Sequence, residues 1–531
     1  MSTTTKRTSS FLSICATSLL ANRLRRFRDL LITTPSHLFL TRPFSRLWLS
    51  AVIAAPLLSL PATADDTRVK ATGHNAFSRP AANMPIRQRL DFSVGNSFFR
   101  NPWVAAPSST KARDGLGPLF NTNACQNCHI KDGRGHAPSD SADSSITSQQ
   151  ANVSMLVRLS VDSDQPLAPH QANHVDPHYG GQLQDFALPG LKPEGIINVN
   201  YQYQDVTLNG GETVQLRQPT LGISQLAYGS LHPNIRLSAR IAPPMIGLGL
   251  LEAIGDERLS QLADANDNND DGISGRLNLV WDNRSQSLQP GRFGWKAGQP
   301  SLEQQNAAAF NGDMGITSSL FRQENCQTSQ ITCHQRAAHG NGLTPKSKPA
   351  IKAEPKPAGE SKGASKSGPK PEVAPHLLNQ VTFYTGNLAV PKRRTPQDSR
   401  VKAGEAIFAQ LNCDGCHTSS HTTRADYHHP WLANQSIKPY TDLLLHDMGE
   451  GLADHSQEFL ASGREWRTPP LWGIGLTQAV SGVESYLHDG RARNLQEAIL
   501  WHGGEAQRSR DLYQQLAPEQ RQALLAFLRD L

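Results

Sequence analysis

Two short stretches of this 531-residue chain carry the residue types from which a redox centre can be built, Cys125-Gln126-Asn127-Cys128-His129 and Cys413-Asp414-Gly415-Cys416-His417. In a C-x-x-C-H run, two thiols can form thioethers with the vinyl groups of a haem. The adjacent imidazole then reaches the iron as an axial ligand, and the close spacing keeps all three groups on one face of the porphyrin. A zinc half-site or a thioredoxin-like pair would use the same cysteines. Zinc, however, asks for four ligands, usually from a second C-x-x-C nearby, and none is present. The chemistry expected is therefore two covalently bound c-type haems, with His129 and His417 on the irons.

The remaining cysteines fit an oxidising compartment. Of seven cysteines, Cys15 lies in the N-terminal presequence, and the other six fall into three close pairs. Cys326 and Cys333, followed by His334, read either as a disulfide closing a surface loop or as a third, wide-spaced attachment motif. The formal charge of +6 does not argue for nucleic-acid binding: residues 1–64 alone contribute +7, so the remainder carries −1. A basic flank at Arg42 and Arg46, an apolar run from Trp48 to Leu60 and an A-x-A end at Ala62–Ala64 read as a signal peptide cleaved near Ala64, hence periplasmic export. The run is short for a membrane span.

Elements must hold these motifs in place. Apolar groups from Gly404 to Leu411 recur at helical spacing just before Cys413, and Pro518 opens a final helix with a stripe of Leu524, Leu525, Phe527, Leu528 and Leu531. Thr207–Leu216 and Leu277–Trp281 alternate as short strands. The expected organisation is a presequence (1–64), an N-terminal haem domain (65–344), a Lys/Pro-rich flexible linker (345–375) and a C-terminal cytochrome c domain (376–531). The expected fold class is mainly α: two cytochrome c-like haem domains, with irregular loop-rich insertions and a few short strands in the first. Asp267, Asn269, Asp271 and Ser274 resemble the first half of a calcium loop, but Asn278 stands where the closing Glu would be.

Longer stretches carry a resemblance. RDGLGPLFNTNACQNCHIKDGRG (113–135), APPMIGLGLLEAI (242–254), GRFGWKAGQPSL (291–302), AAAFNGDMGITSSLF (307–321), DLLLHDMGEGLADH (442–455) and LHDGRARNLQEAILWHGGEA (487–506) are similar to the bacterial di-haem oxidoreductase (peroxidase) family. That family is related to the di-haem cytochrome c peroxidases and the methylamine-utilisation di-haem enzymes, and the likeness runs from about residue 72 to 531. It implies a C-terminal haem that takes electrons from a small cytochrome or cupredoxin, an N-terminal haem that reacts with hydrogen peroxide or another substrate, and a bridging tryptophan, Trp295. It places Gln305 at a distal glutamine position and Asp313 where relatives carry a proton-shuttling Glu. His502 falls at the second haem's distal position, occupied by Met in the peroxidases; imidazole there lowers the potential that a thioether would raise. Arg491 is implied as a propionate partner, with His446 and His488 as supporting contacts. Candidates above the first haem are His136, His178, Met155 and Met245, or an open position. The resemblance also favours the Cys326–Cys333 disulfide, a homodimer and calcium binding. The alternative function is a non-catalytic di-haem electron-transfer or redox-responsive binding protein.

Overall fold

Two pairs of helices, each drawn together by a glycine, form the floors beneath the two C-x-x-C-H motifs. A computed structural model describes residues 63–64, 66–138, 154–340 and 370–531; most of the presequence and most of the Lys/Pro-rich linker lie outside the described residues. In the first pair, Gln88–Arg100 packs on Pro375–Gly386. A Cβ added to Gly95 would stand 2.1 Å from the Gln380 carbonyl oxygen, so no larger residue allows this approach. One turn on, the Phe99 ring lies 5.3 Å from Tyr384 and 6.0 Å from His129. In the second pair, Ser399–Gln410 packs on Pro518–Asp530, and a Cβ on Gly404 would stand 2.0 Å from the Ala523 oxygen. Four residues later Phe408 lies 5.4 Å from Phe527 and 6.2 Å from His417. Both motifs thus rest on the same device, a helix reading G-x-x-x-F whose aromatic ring supports the histidine.

Between these floors the chain is largely extended. Met155–Val161 pairs antiparallel with Ile235–Ile241. Ile196–Thr207 and Thr213–Ser224 form a long antiparallel ribbon in continuous register from Ile196–Ser224 to Thr207–Thr213. The ribbon tip is anchored: Asn209 N–H donates to the Gln514 oxygen at 2.9 Å, and Arg521 pairs with Glu212 at 2.8 Å. Thr63–Ala64 runs parallel to Gln435–Ile437, which also pairs with His421–Thr422.

These sheets correct the expectation of a mainly α chain. The protein is 30 % helix and 18 % strand, spread over many small antiparallel sheets. The physical reason lies in the middle of the chain, where period-2 alternation with Tyr, Val and Thr outweighs any helical stripe. Thr207–Leu216, read as one strand, instead straddles a turn, because Asn209-Gly210-Gly211 interrupts the alternation and closes the ribbon between Thr207 and Thr213. The helices read at Gly404–Leu411 and from Pro518 occur as Ser399–Gln410 and Pro518–Asp530.

The two large apolar clusters interleave along the sequence. One joins Phe92, Trp103 and Phe310 to Tyr384 and Trp472; the other joins Ala137 and Trp295 to Phe408, Trp466, Trp501 and Phe527. Residues Leu60–Leu531 accordingly form one compact unit. The Pro375–Gly386 helix lies on the C-terminal side of the linker in sequence, yet it packs under the first motif.

Candidate functional site

Each C-x-x-C-H histidine is held by a main-chain oxygen. His129 Nδ1 lies 2.8 Å from the Pro243 oxygen, and His417 Nδ1 lies 2.9 Å from the Tyr440 oxygen. A carbonyl oxygen only accepts, so each ring must carry its proton on Nδ1 and turn an unprotonated Nε2 outward. This is the arrangement by which proteins orient an imidazole for a metal. Burial lowers both rings to about 4, so neither competes for a proton at neutral pH. The thiols of Cys125, Cys128 and Cys413 are pushed up to about 12, chiefly by burial. Burial thus disfavours the thiolate at each of these three positions. All four motif cysteines are nonetheless only half-buried by surface, and Cys413 and Cys416 border internal space.

At the second motif that space is a mostly apolar cavity of about 170 Å³, several times the share of one water. Cys413, Cys416, His417, Trp295 and His502 all line it. His502 repeats the histidine device, with Nδ1 2.7 Å from the Ala498 oxygen at the end of the short helix Leu495–Leu500. Its pKa is lowered by burial, and its charge would in turn disfavour protonation of His417. Two thiols and two imidazoles thus border one mostly apolar cavity, a donor set that suits a porphyrin.

His446 and His488 also line this cavity. His446 is clamped, with Nε2 2.8 Å from Asp442 and Nδ1 2.7 Å from Glu505. Burial alone would lower its pKa; the Cys416 sulfur and Asp442 carboxylate together hold it well above the ordinary value. His488 stacks on Trp466 with ring centres 3.7 Å apart. Arg491 does not reach the cavity. It is spent on Asp489, on the Gly451 oxygen and on the face of Trp501. Two buried guanidinium groups that sequence reasoning missed stand there instead, Arg134 and Arg467. Arg134 follows His129 by five residues, and its guanidinium lies between the rings of Trp295 and Tyr486, at 5.5 and 5.6 Å.

The Leu302–Met314 helix connects the other candidates to both sites. Gln305 Oε1 lies 3.8 Å from where a Cβ would stand on Gly294, beside Trp295. Two turns later Asp313 reaches the first motif. Its main-chain oxygen accepts from Asn121 and Thr122, which lead into Cys125, and its carboxylate raises both Cys125 and Cys128. Burial raises the pKa of Asp313 against the opposing pull of Arg158 and of Gln182, whose Nε2 donates to Oδ1 at 2.9 Å. Behind Gln182 lies a second buried acid. Glu194 accepts from Gln184 N–H at 2.6 Å and from Gln330 Nε2 at 2.5 Å, and Gln184 Nε2 donates to the Gly312 oxygen.

One five-residue strap joins the two sites. Ile241 N–H donates to the His488 oxygen, and the Ile241 oxygen accepts from Trp295 Nε1, each at 2.8 Å. Two residues on, Pro243 holds His129, and Met245 N–H donates to the Asp132 oxygen. Met245 is buried in the first apolar cluster, and Met155 pairs in register with Ile241. His136 N–H donates to Ser154 Oγ, and the His178 ring lies against Gly229 and Tyr179.

Cys326 and Cys333 form a disulfide, packed on Leu119. In the Asp/Asn-rich loop, Asp264 and Asp267 accept hydrogen bonds from the loop's own amides. Among the described residues no group of three or more His, Cys, Asp or Glu is arranged to hold a metal ion.

No curated protein and no solved structure matches this chain. The family model described as "Di-haem oxidoreductase, putative peroxidase" matches residues 61–531, nearly the whole chain, and the protein belongs to that family.

Proposed function

We propose that the protein is a periplasmic di-haem c-type oxidoreductase of peroxidase type, moving electrons from a small redox protein through the second site to a reactive first site. The observation that carries this reading is the repeated pairing of a C-x-x-C-H motif with a histidine whose Nδ1 is bound by a main-chain oxygen, twice in one chain. When bound, the haems supply one-electron redox chemistry and, at the first site, the metal at which peroxide is reduced. Cys125 and Cys128, and Cys413 and Cys416, would attach them through thioethers; the lack of a second C-x-x-C beside either motif supports this over zinc binding. His129 and His417 would hold the irons through Nε2, and His502, which lines the same cavity as His417, would supply a further imidazole to the second haem.

Reduction of hydrogen peroxide to two waters consumes two electrons and two protons. Asp313, whose carboxyl is raised by burial beside the first motif, would serve as general acid, oriented by Gln182. Trp295 borders the second cavity and is hydrogen-bonded to the strap that holds His129, so it offers an aromatic step for electrons between the sites. Apolar walls keep water from the second site. Export is supported by the presequence and by the Cys326–Cys333 disulfide.

The test is a mature, purified sample. Its mass should exceed the polypeptide by two porphyrins, and its colour should survive acid–acetone extraction. Peroxide should be consumed at the expense of a reduced small cytochrome or cupredoxin. Two irons that are both unreactive towards peroxide would leave an electron carrier instead.

A further inference from the structure

Arg134 places a fixed positive charge between two oxidisable rings, Trp295 and Tyr486, whose centres therefore lie within about 11 Å of each other, the sum of the two ring–cation distances. The two rings differ in what happens to their protons. Trp295 Nε1–H donates to the Ile241 main-chain oxygen, which is too weak a base to remove that proton. An electron taken from Trp295 therefore leaves a radical cation beside a guanidinium, where positive charge is penalised by low dielectric. The phenol of Tyr486 donates instead to a carboxylate, Glu484 Oε1, at 3.2 Å. Loss of an electron and a proton together from Tyr486 leaves a neutral ring, which Arg134 does not penalise. Tyr486 itself is buried and borders the second cavity, whereas Glu484 is only half-buried and can pass its proton to solvent.

We propose that Tyr486 is a redox-active residue that returns an electron to oxidised Trp295 and gives its phenolic proton to Glu484 during turnover with peroxide. The step balances as written. Trp295 radical cation, Tyr486 phenol and Glu484 carboxylate become neutral Trp295, Tyr486 phenoxyl radical and Glu484 carboxylic acid. Hydrogen peroxide is the ultimate oxidant, so the inference rests on the peroxidase reading. Arg134 is a positioning residue: it touches both rings and sets the direction in which the vacancy moves.

The test is freeze-quench EPR of the holoprotein mixed with one equivalent of peroxide, with ring-deuterated tyrosine to identify a tyrosyl signal by its narrowing. The wild type should show that signal. Tyr486→Phe, which removes one hydroxyl and leaves the ring, should lower it at least ten-fold and leave a tryptophan-centred signal in its place. Glu484→Gln should lower it several-fold while the haem spectra stay unchanged. Tyr427→Phe is the control, since Tyr427 also donates to a carboxylate, Glu252 at 2.7 Å, but lies in the other apolar cluster; it should keep the full signal. A tyrosyl signal that persists in Tyr486→Phe overturns the proposal. Peroxide consumed by the wild type with no tyrosyl signal overturns it too, leaving the peroxidase reading intact. Peroxide left unconsumed with no change in the haem spectra removes both.

Discussion

Glu194→Gln gives a quantitative handle on the buried polar network behind Asp313. Glu194 is 1 % exposed, and burial first, then Asp176 and Asp185, raise its pKa from 4.5 to about 8 against the hydrogen bonds from Gln184 and Gln330. A folded-state value above the unfolded one means that the folded protein binds the extra proton. Its stabilisation is complete below the unfolded value of 4.5 and is lost as pH rises through about 8. At about 1.4 kcal/mol per unit, the loss across that window approaches about 5 kcal/mol. Protonated Glu and Gln are nearly isosteric and neutral, so both should leave one donor facing Gln330 or Gln184 and start with similar stability in acid. Urea unfolding of the holoprotein, followed from about pH 5 to about pH 9, should show the variant gaining on the wild type by up to about 1.4 kcal/mol per unit. Two stability curves that stay parallel over this range would refute the claim that the fold holds Glu194 protonated.

Asp313→Asn should lower peroxide turnover by about 10²–10⁴-fold with little change in the haem spectra, since it keeps the Gln182 contact but loses the proton; a change under about three-fold removes Asp313 from the acid–base role. His502→Met exchanges imidazole for thioether in the cavity that His417 also lines, so potentiometric titration should find one of two midpoints raised and the other unmoved. Unchanged midpoints would exclude ligation by His502. Gly404→Ala forces a methyl group to within 2.0 Å of the Ala523 oxygen and should cost roughly 1–3 kcal/mol, seen as a lower melting temperature. An unaltered melting temperature would mean that the helix pair tolerates separation.

The two motifs were legible because the pattern is local: C-x-x-C-H lies within five residues, and no tertiary contact is needed to see it. The last helix was legible from Pro518 and its leucine stripe for the same reason. The G-x-x-x-F signal was present in both floor helices, at Gly95–Phe99 and Gly404–Phe408, but only the contacts with Gln380 and Ala523 reveal what it does. Arg134 and Tyr486 were missed because they meet across some 350 residues of chain, where spacing carries no information. The partners of Arg491 were not legible for a related reason: nothing in the spacing announces that a basic residue two after Asp489 pairs with that acid. Period-2 patterning read at Thr207–Leu216 caught only the tip of the ribbon and passed over the turn that Asn209-Gly210-Gly211 marks there.

The strap from Ile241 to Met245 makes the two centres mechanically one object. A main chain cannot stretch, so rotating the His129 imidazole by moving Pro243 also displaces Ile241, two residues away. Ile241 grips the indole of Trp295 and the main chain of His488 on the opposite side. The azimuth of the His129 ring and the shape of the neighbouring chamber are therefore set by a common lever.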